Sequence, residues 1–293
     1  MKIDNFIWGW CSYSAGSGFT DNPMWDNPEA DFSFAHKDLK QYFEEPHNVG
    51  NIKSQIEKIV FPYQLGKKLG ASNIQNFAAG GMGYPIQIRK IFSYLIENED
   101  KLDFTKTSVG IQLTSFQRDE VIKVILKEHL PHHDKNQIDR IKFAWLDGQS
   151  HENHAKDYIL KYWDGGYSVM NALQNLIIFK GWCENMGVKL HLFEFCCSVE
   201  NQINPYKERI ELWRTQINHQ ELSHNTPDFP QIETLVKKLE IEPIGDKITG
   251  GLPGYIKAFV NDGFHDDTHF SITGHNQVTE FLYDAYKNKL GYE

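Results

Sequence analysis

The chain has 293 residues, 40% of them hydrophobic and 13% aromatic, which suits one elaborated globular domain and excludes a disordered chain. Asp and Glu outnumber Lys and Arg by 39 to 30, a formal charge of -9, and no stretch concentrates basic residues among aromatics, so a nucleic-acid backbone is excluded as partner. No window reaches the roughly 20 consecutive apolar residues of a membrane span, and the start, MKIDNFIWGWCS, has no apolar core long enough for a signal peptide. A soluble chain that keeps its N-terminus is expected. The cysteines, Cys11, Cys183, Cys196 and Cys197, show no CxxC spacing; free thiols in a reducing compartment are expected, not a zinc ribbon or a redox pair.

Four short apolar runs rich in β-formers, at residues 6–10, 73–78, 108–113 and 188–195, predict strands separated by helical patterns, as in a parallel sheet with crossover helices. Between the first two, Ile52, Ile56, Ile59, Val60 and Tyr63 recur at helical spacing, and the helix should end around 66–70, where glycine suits a terminus. After the second run, Gly80, Gly81 and Gly83 lead into the stripe Ile88, Ile91, Phe92, Leu95 and Ile96. A loop feeding a helix in this way presents backbone N–H groups to whatever lies above it.

Leu173, Leu176 and Ile177 form a further stripe ahead of the fourth strand. Val278, Phe281, Leu282, Ala285 and Tyr286 make the last helix amphipathic, to pack on the sheet. The pattern is that of an α/β protein, read as one domain over 1–293. Three segments, about 17–50, 116–168 and 199–258, fall outside this plan. They are polar, and the last is broken by Pro205, Pro227, Pro230, Pro243 and Pro253. They are read as loop insertions, where an open α/β fold builds substrate selectivity.

Two segments could carry chemistry. WCSYSAGSG at 10–18 follows the first strand directly, and a serine at the carboxyl end of a parallel strand lies at the crevice where ligands bind. Ser14, Ala15, Gly16, Ser17 and Gly18 let the chain bend there and leave Ser12 uncrowded, although the same residues suit a plain turn. DGFHDDTHFSITGH at 262–275 sets three acids and three histidines before the final helix. A hydroxyl becomes a good nucleophile only beside a general base that a third group orients, and an Asp-x-x-His loop can supply both. The plain alternative is a polar helix cap built on Ser271 or Thr273.

In combination and in this order the segments resemble the SGNH hydrolase family, also called GDSL esterases. The resemblance places Ser12 as nucleophile, with Gly16 four residues on as in GDSLxxG-type motifs, and His269 as base. Asp262–His265 is also a DxxH, but Ser271, Gly274 and His275 follow His269 as a small polar residue and a Gly-His pair do in the family. Asp266 is then the orienting acid and Asp267 its nearest rival. NFAAGGMG at 76–83 resembles the second block, with Gly81 at the oxyanion-hole position beside the N–H of Ser12. The implied fold is a three-layer α/β/α sandwich on a flavodoxin-like, mostly parallel sheet of about five strands. The implied activity is hydrolysis of a carboxylic ester through a Ser-His-Asp triad, with no metal or organic cofactor.

Two blocks depart from the family. Trp10 and Cys11 replace Gly and Asp, and the third block, IQLTSFQRDE at 111–120, lacks the Asn that serves as a further oxyanion donor. Thr114, Ser115 and Gln117 are the available replacements, with Thr114 the expected one; losing such a donor costs ~10² to 10³ in rate. The order is also unlike that of the classical α/β-hydrolases, whose G-x-S-x-G motif, placed midway along the sequence, is absent.

His132-His133-Asp134 and the pair His151 and His154 lack a third ligand at fixed spacing and are read as surface histidines rather than a metal site. Cys11 would point away from Ser12 on an extended segment. The expected substrate is a small molecule or carbohydrate bearing a short acyl ester, with lipid-like or aryl esters as alternatives; Trp25, Trp145, Trp163 and Tyr167 are candidates to stack on sugar rings, although such aromatics more often serve as plain packing. The departures motivate a second class, a catalytically weak or inactive carbohydrate- or protein-binding module on the same scaffold, and a third, an acyltransferase.

Overall fold

Phe6, Ile7 and Trp8 are all buried to within 1%, so the first apolar run is covered on both faces, as a central parallel strand must be. The computed structural model describes residues 2–9, 58–78, 83–113, 116, 119–126, 138–146, 165–194, 199–200, 203–208, 212, 232–241, 272–288 and 290–292. Within these, β1 (Asn5–Gly9), β2 (Asn73–Asn76), β3 (Thr107–Leu113) and β6 (Lys189–Glu194) form one parallel sheet in the order β2-β1-β3-β6. This is the start of a flavodoxin-like order. The four predicted runs are these four strands, and a fifth parallel strand is not among the described residues.

Between β3 and β6, β4 (Asp119–Leu126) and β5 (Ile138–Leu146) pair antiparallel as a separate two-stranded sheet, so the 116–168 segment carries structure of its own. The helices are α1 (Phe61–Lys68), α2 (Tyr84–Glu97), α3 (Gly165–Met186), α4 (Ile232–Leu239) and α5 (Ile272–Asn288). They divide between the two faces of the sheet.

On one face, Trp8 meets Phe61 of α1 edge-on at 5.4 Å, and Phe6 meets Tyr286 of α5 at 6.0 Å. On the other, a Cβ added to Gly9 would lie 2.6 Å from Ile91 Cδ1 of α2. Helix α3 packs beside α2 and against β6, and α4 packs on α3. The architecture is therefore an α/β sandwich with α1 and α5 below the sheet and α2, α3 and α4 above it. No helix among the described residues is long and apolar enough to cross a membrane.

Three expectations change. The helical spacing from Ile52 predicts one run into Tyr63, but Val60 is extended (φ -73, ψ 147) and divides it: residues 58 and 59 are helical, and α1 begins after the break. Pro62 suits the first turn of the new helix, which restarts the ladder without needing its missing N–H. The end of the run is as expected, with Gly70 at φ +78 and Ala71 N–H returning to Gly66 O.

In α2, the buried residues are Tyr84, Ile86, Gln87, Ile91 and Leu95, whereas Phe92 and Ile96 are 37% and 41% exposed. Phe92 instead meets Trp182 of α3 edge-on at 4.9 Å, so the apolar arc is wider than the face the sheet covers. Part of the 199–258 segment is also no loop. Helix α4 buries Ile232, Leu235 and Leu239, and Lys180 of α3 donates to Lys238 O and pairs with Glu240 at its end.

At the amino end of the sheet lies a buried polar relay. His191 Nε2 shares a hydrogen bond with Tyr292 Oη (2.5 Å), which donates to Ser108 Oγ (3.0 Å) and ties the last residues to β3 and β6. Burial, reinforced by Lys189, pushes the His191 imidazole down to about 4. The unfolded imidazole protonates near pH 6.5, so between 6.5 and 4 the unfolded chain binds the extra proton and stability falls as pH drops through that window. The loss approaches about 3 kcal/mol. Urea unfolding of the native chain and His191→Gln should diverge across this range, the variant being flatter; parallel profiles would refute the assignment.

Candidate active site

The register sets which strand ends are neighbours. β1 lies between β2 and β3, with Trp8 opposite Asn76 on one side and Gly9 opposite Ile111 on the other. Phe77 N–H donates to Trp8 O at 2.8 Å and carries the β1–β2 pairing past the end of β2. The three strands are parallel, so their following loops leave from one edge. Ser12 comes three residues after β1, Gly81 five after β2 and Thr114 directly after β3. Ser12, Gly81, Thr114, Asp266 and His269, with their alternatives Asp267, His265, Ser115 and Gln117, lie outside the described residues; what the structure supplies is the frame that carries them.

The second-block loop opens with an Asx turn, Asn76 Oδ1 accepting from Ala78 N–H at 3.1 Å. It closes on Gly83, whose backbone (φ -87, ψ 173) makes no side-chain cap on α2. Pro85 lies in the first turn of α2, and no acidic residue does. As N-cap, Gly83 offers no side chain of its own to the first N–H groups of α2, and Gln87 N–H turns back to Gly83 O at 3.4 Å.

Phe116, in the loop after β3, is fully buried and stacks on Tyr84 at 5.1 Å and 26°. The stack fastens the third-block loop to the first residue of α2. Weighing only the polar side chains of that loop for chemistry misses Phe116. Its signal in the sequence is an aromatic residue inside an otherwise polar turn. Glu194, at the end of β6, holds the next loop by accepting from Val199 N–H at 2.7 Å.

The base-bearing segment runs into α5, which begins three residues after His269. His275 is completely buried; its Nδ1 accepts from the backbone N–H of Phe61 at 3.1 Å and its ring stacks on Phe61 at 5.8 Å. It thereby satisfies an orphan donor at the start of α1. With Nδ1 accepting, a neutral ring carries its proton on Nε2. The histidine that marked the motif in the sequence is a structural pin, one helical turn inside α5.

Among the other candidates, Tyr167 stands on the first turn of α3 and is 53% exposed. Cys183 is free and buried, and desolvation, with Glu184 beside it, pushes its thiol up to about 12, which makes it inert. Trp25, Trp163, Cys11, Cys196, Cys197, His132, His133, Asp134, His151 and His154 lie outside the described residues, as does the side chain of Trp145. Among the described residues no group of three His, Cys, Asp or Glu is arranged to hold a metal ion.

No protein-family model matches the chain, and no curated protein does. Solved structures similar to it include the psychrotrophic esterase EstA from Pseudoalteromonas sp., with 10% identity, 98% of each chain covered and a TM-score of 0.44. TesA matches at 11% identity over 97% of this chain and 98% of its own, with a TM-score of 0.43. A carbohydrate esterase whose active site displays divergent catalytic and non-catalytic binding functions matches at 13% over all of this chain and 70% of its own, with a TM-score of 0.44.

Proposed function

We propose that the chain is a serine esterase. Ser12 Oγ attacks the acyl carbonyl while His269 takes its proton, and Asp266 orients the imidazole and stabilises its charged form. The N–H groups of Ser12 and Gly81, with the Thr114 hydroxyl in place of an Asn, hold the oxyanion, and water then releases the acid. No metal or organic cofactor takes part. The substrate class is a short acyl ester, acetyl foremost, on a carbohydrate, with Tyr167 as one stacking platform.

The observation that carries this reading is the strand order. With β1 between β2 and β3 and all three parallel, the chain leaves the sheet toward Ser12, Gly81 and Thr114 from adjacent points on one edge. A nucleophile and its oxyanion donors must converge within a few ångströms, and no other edge of this sheet would allow it. The absence of an Asn from the third block favours the second reading, a binding module that retains the scaffold.

A fluorophosphonate probe separates the two, since it reacts only with a serine that a base has activated. Labelling of the native chain should map to the peptide containing Ser12 and vanish in Ser12→Ala. Carbohydrate binding without labelling would favour the module. Acyl transfer to added sugar in preference to water would make the same triad that of a transferase.

A further inference from the structure

Helix α3 carries no charged residue from Gly165 to Phe179, and the first that follows, Lys180, is turned to α4, where it pairs with Glu240. A helix on the surface of a domain normally shows water a charged stripe. The outer side of α3 shows it Ile178, 69% exposed, with the half-buried Trp182 one turn on. Trp182 touches Phe92 edge-on, and Phe92 and Ile96, four residues apart on α2, continue the apolar surface onto the neighbouring helix. These four side chains form one exposed patch across two helices, aromatic and poor in charge as the centre of a protein contact is.

Charge says what the contact is with. Helix α2 places Arg89 and Lys90 in its N-terminal half and Glu97 as its last residue, with Glu99 and Asp100 behind it, all of them exposed. That order opposes the helix dipole, which favours anions at the start and cations at the end. It suits an antiparallel copy of the same helix. Lys90 and Glu97 are seven residues apart, two turns, and so lie along one flank. A two-fold axis near Ser93, midway between them, sets each Lys90 beside the Glu97 of a second copy.

We propose that this face joins two copies of the chain in a two-fold dimer, each α2 lying antiparallel on the other α2 and each α3 on the other α3. Helices α2 and α3 both run to the amino edge of the sheet, α2 ahead of β3 and α3 ahead of β6, so they are parallel and a single axis in the plane of the contact pairs each with its own copy. The interface is isologous, the same patch meeting itself. Gly181, three residues on from Ile178 and exposed, leaves room for close approach, since a Cβ there would meet nothing within 4 Å. The outer sides of the helices make the contact, not their N-termini, so the carboxyl edge of the sheet stays open on both copies. The dimer does not depend on the serine-esterase reading.

Sedimentation equilibrium of the full chain tests this. The native chain is expected to give the mass of two chains in the micromolar range. Ile178→Lys and Gly181→Arg put a charge into the contact at positions where the single chain has room for it. Each should weaken the dimer about 30-fold or more and leave the far-UV circular dichroism spectrum unchanged. Lys90→Glu and Glu97→Lys each set like charges together twice and should each weaken self-association about 10-fold. An equimolar mixture of those two variants should associate as the native chain does, because the acidic flank of one then faces the basic flank of the other. A native chain that stays monomeric to about 100 μM would overturn the inference, as would a dimer that Ile178→Lys and Gly181→Arg leave intact. So would a mixture that associates no more tightly than its components. Loss of helical signal in Ile178→Lys would mean that the chain covers the patch with its own residues, which also defeats the dimer.

Discussion

Replacing Ser12 by alanine is expected to lower kcat for p-nitrophenyl acetate by about 10⁴-fold or more, and adding His269→Ala to that variant is expected to cost almost nothing further. In the proposed mechanism the two side chains handle one proton. Without the hydroxyl the base has nothing to activate, and without the base the hydroxyl stays protonated, so either loss alone forfeits the covalent route. What is expected to survive both is stabilisation of the oxyanion by the proposed donors, the N–H of Gly81 among them, which still accelerates attack by water.

Steady-state kinetics of the two single variants and the double variant check this. A double variant whose loss is the product of the single losses would show that Ser12 and His269 act independently, and the pair would be wrong. The same design settles the register. His265→Ala should leave most of the rate, and of Asp266→Asn and Asp267→Asn the one that misorients the imidazole should fall by several further orders.

The second large effect is on stability. Gly110→Ala is expected to destabilise the fold by about 3 kcal/mol or more, at the upper end of what overpacking costs. A methyl at this position would lie 2.3 and 2.4 Å from carbons of the Trp8 ring and 3.1 Å from Tyr286 Oη. The ring has nowhere to go. It is stacked between Phe6 at 5.8 Å and Phe193 at 5.6 Å, with Phe61 edge-on below. Relief would require the β1–β3 pair to separate, and Trp8 sits directly opposite Gly110 in that pair. A melting temperature lower by roughly 6 °C or more is the expected readout, and an unchanged one would mean the aromatic layer can repack.

The centre of the sheet was legible because β1 and β3 are buried along their whole length and rich in β-formers, whereas β2, NIQN, and β6, KLHLFE, are only partly buried and carry a weaker pattern. Helix α4 was less so, although Ile232, Leu235, Val236 and Leu239 have helical spacing, because Pro227, Pro230 and Pro243 around it speak for loop. The start of α1 turned on a break at Val60, ahead of Pro62, in an apolar periodicity that ran straight through both. Of the site, chain order and strand placement could be read, since they depend on local pattern and a resemblance. The tasks of Phe116 and His275 could not, because each is defined by a partner far along the chain, and no local spacing encodes that.

The bond from Phe61 N–H to His275 Nδ1 joins residues 214 positions apart. It therefore bears on time as well as geometry. Closing so long a segment carries an entropic penalty that must be met before the contact rewards it, so the docking of α5 on α1 is expected late in folding. On the proposed mechanism, a nucleophile after the first strand and a base before the last helix would then meet only when the chain between them has collapsed around the sheet. During synthesis the emerging polypeptide would carry its serine long before it carried anything able to activate it, and hydrolytic competence would arrive as a late, all-at-once event.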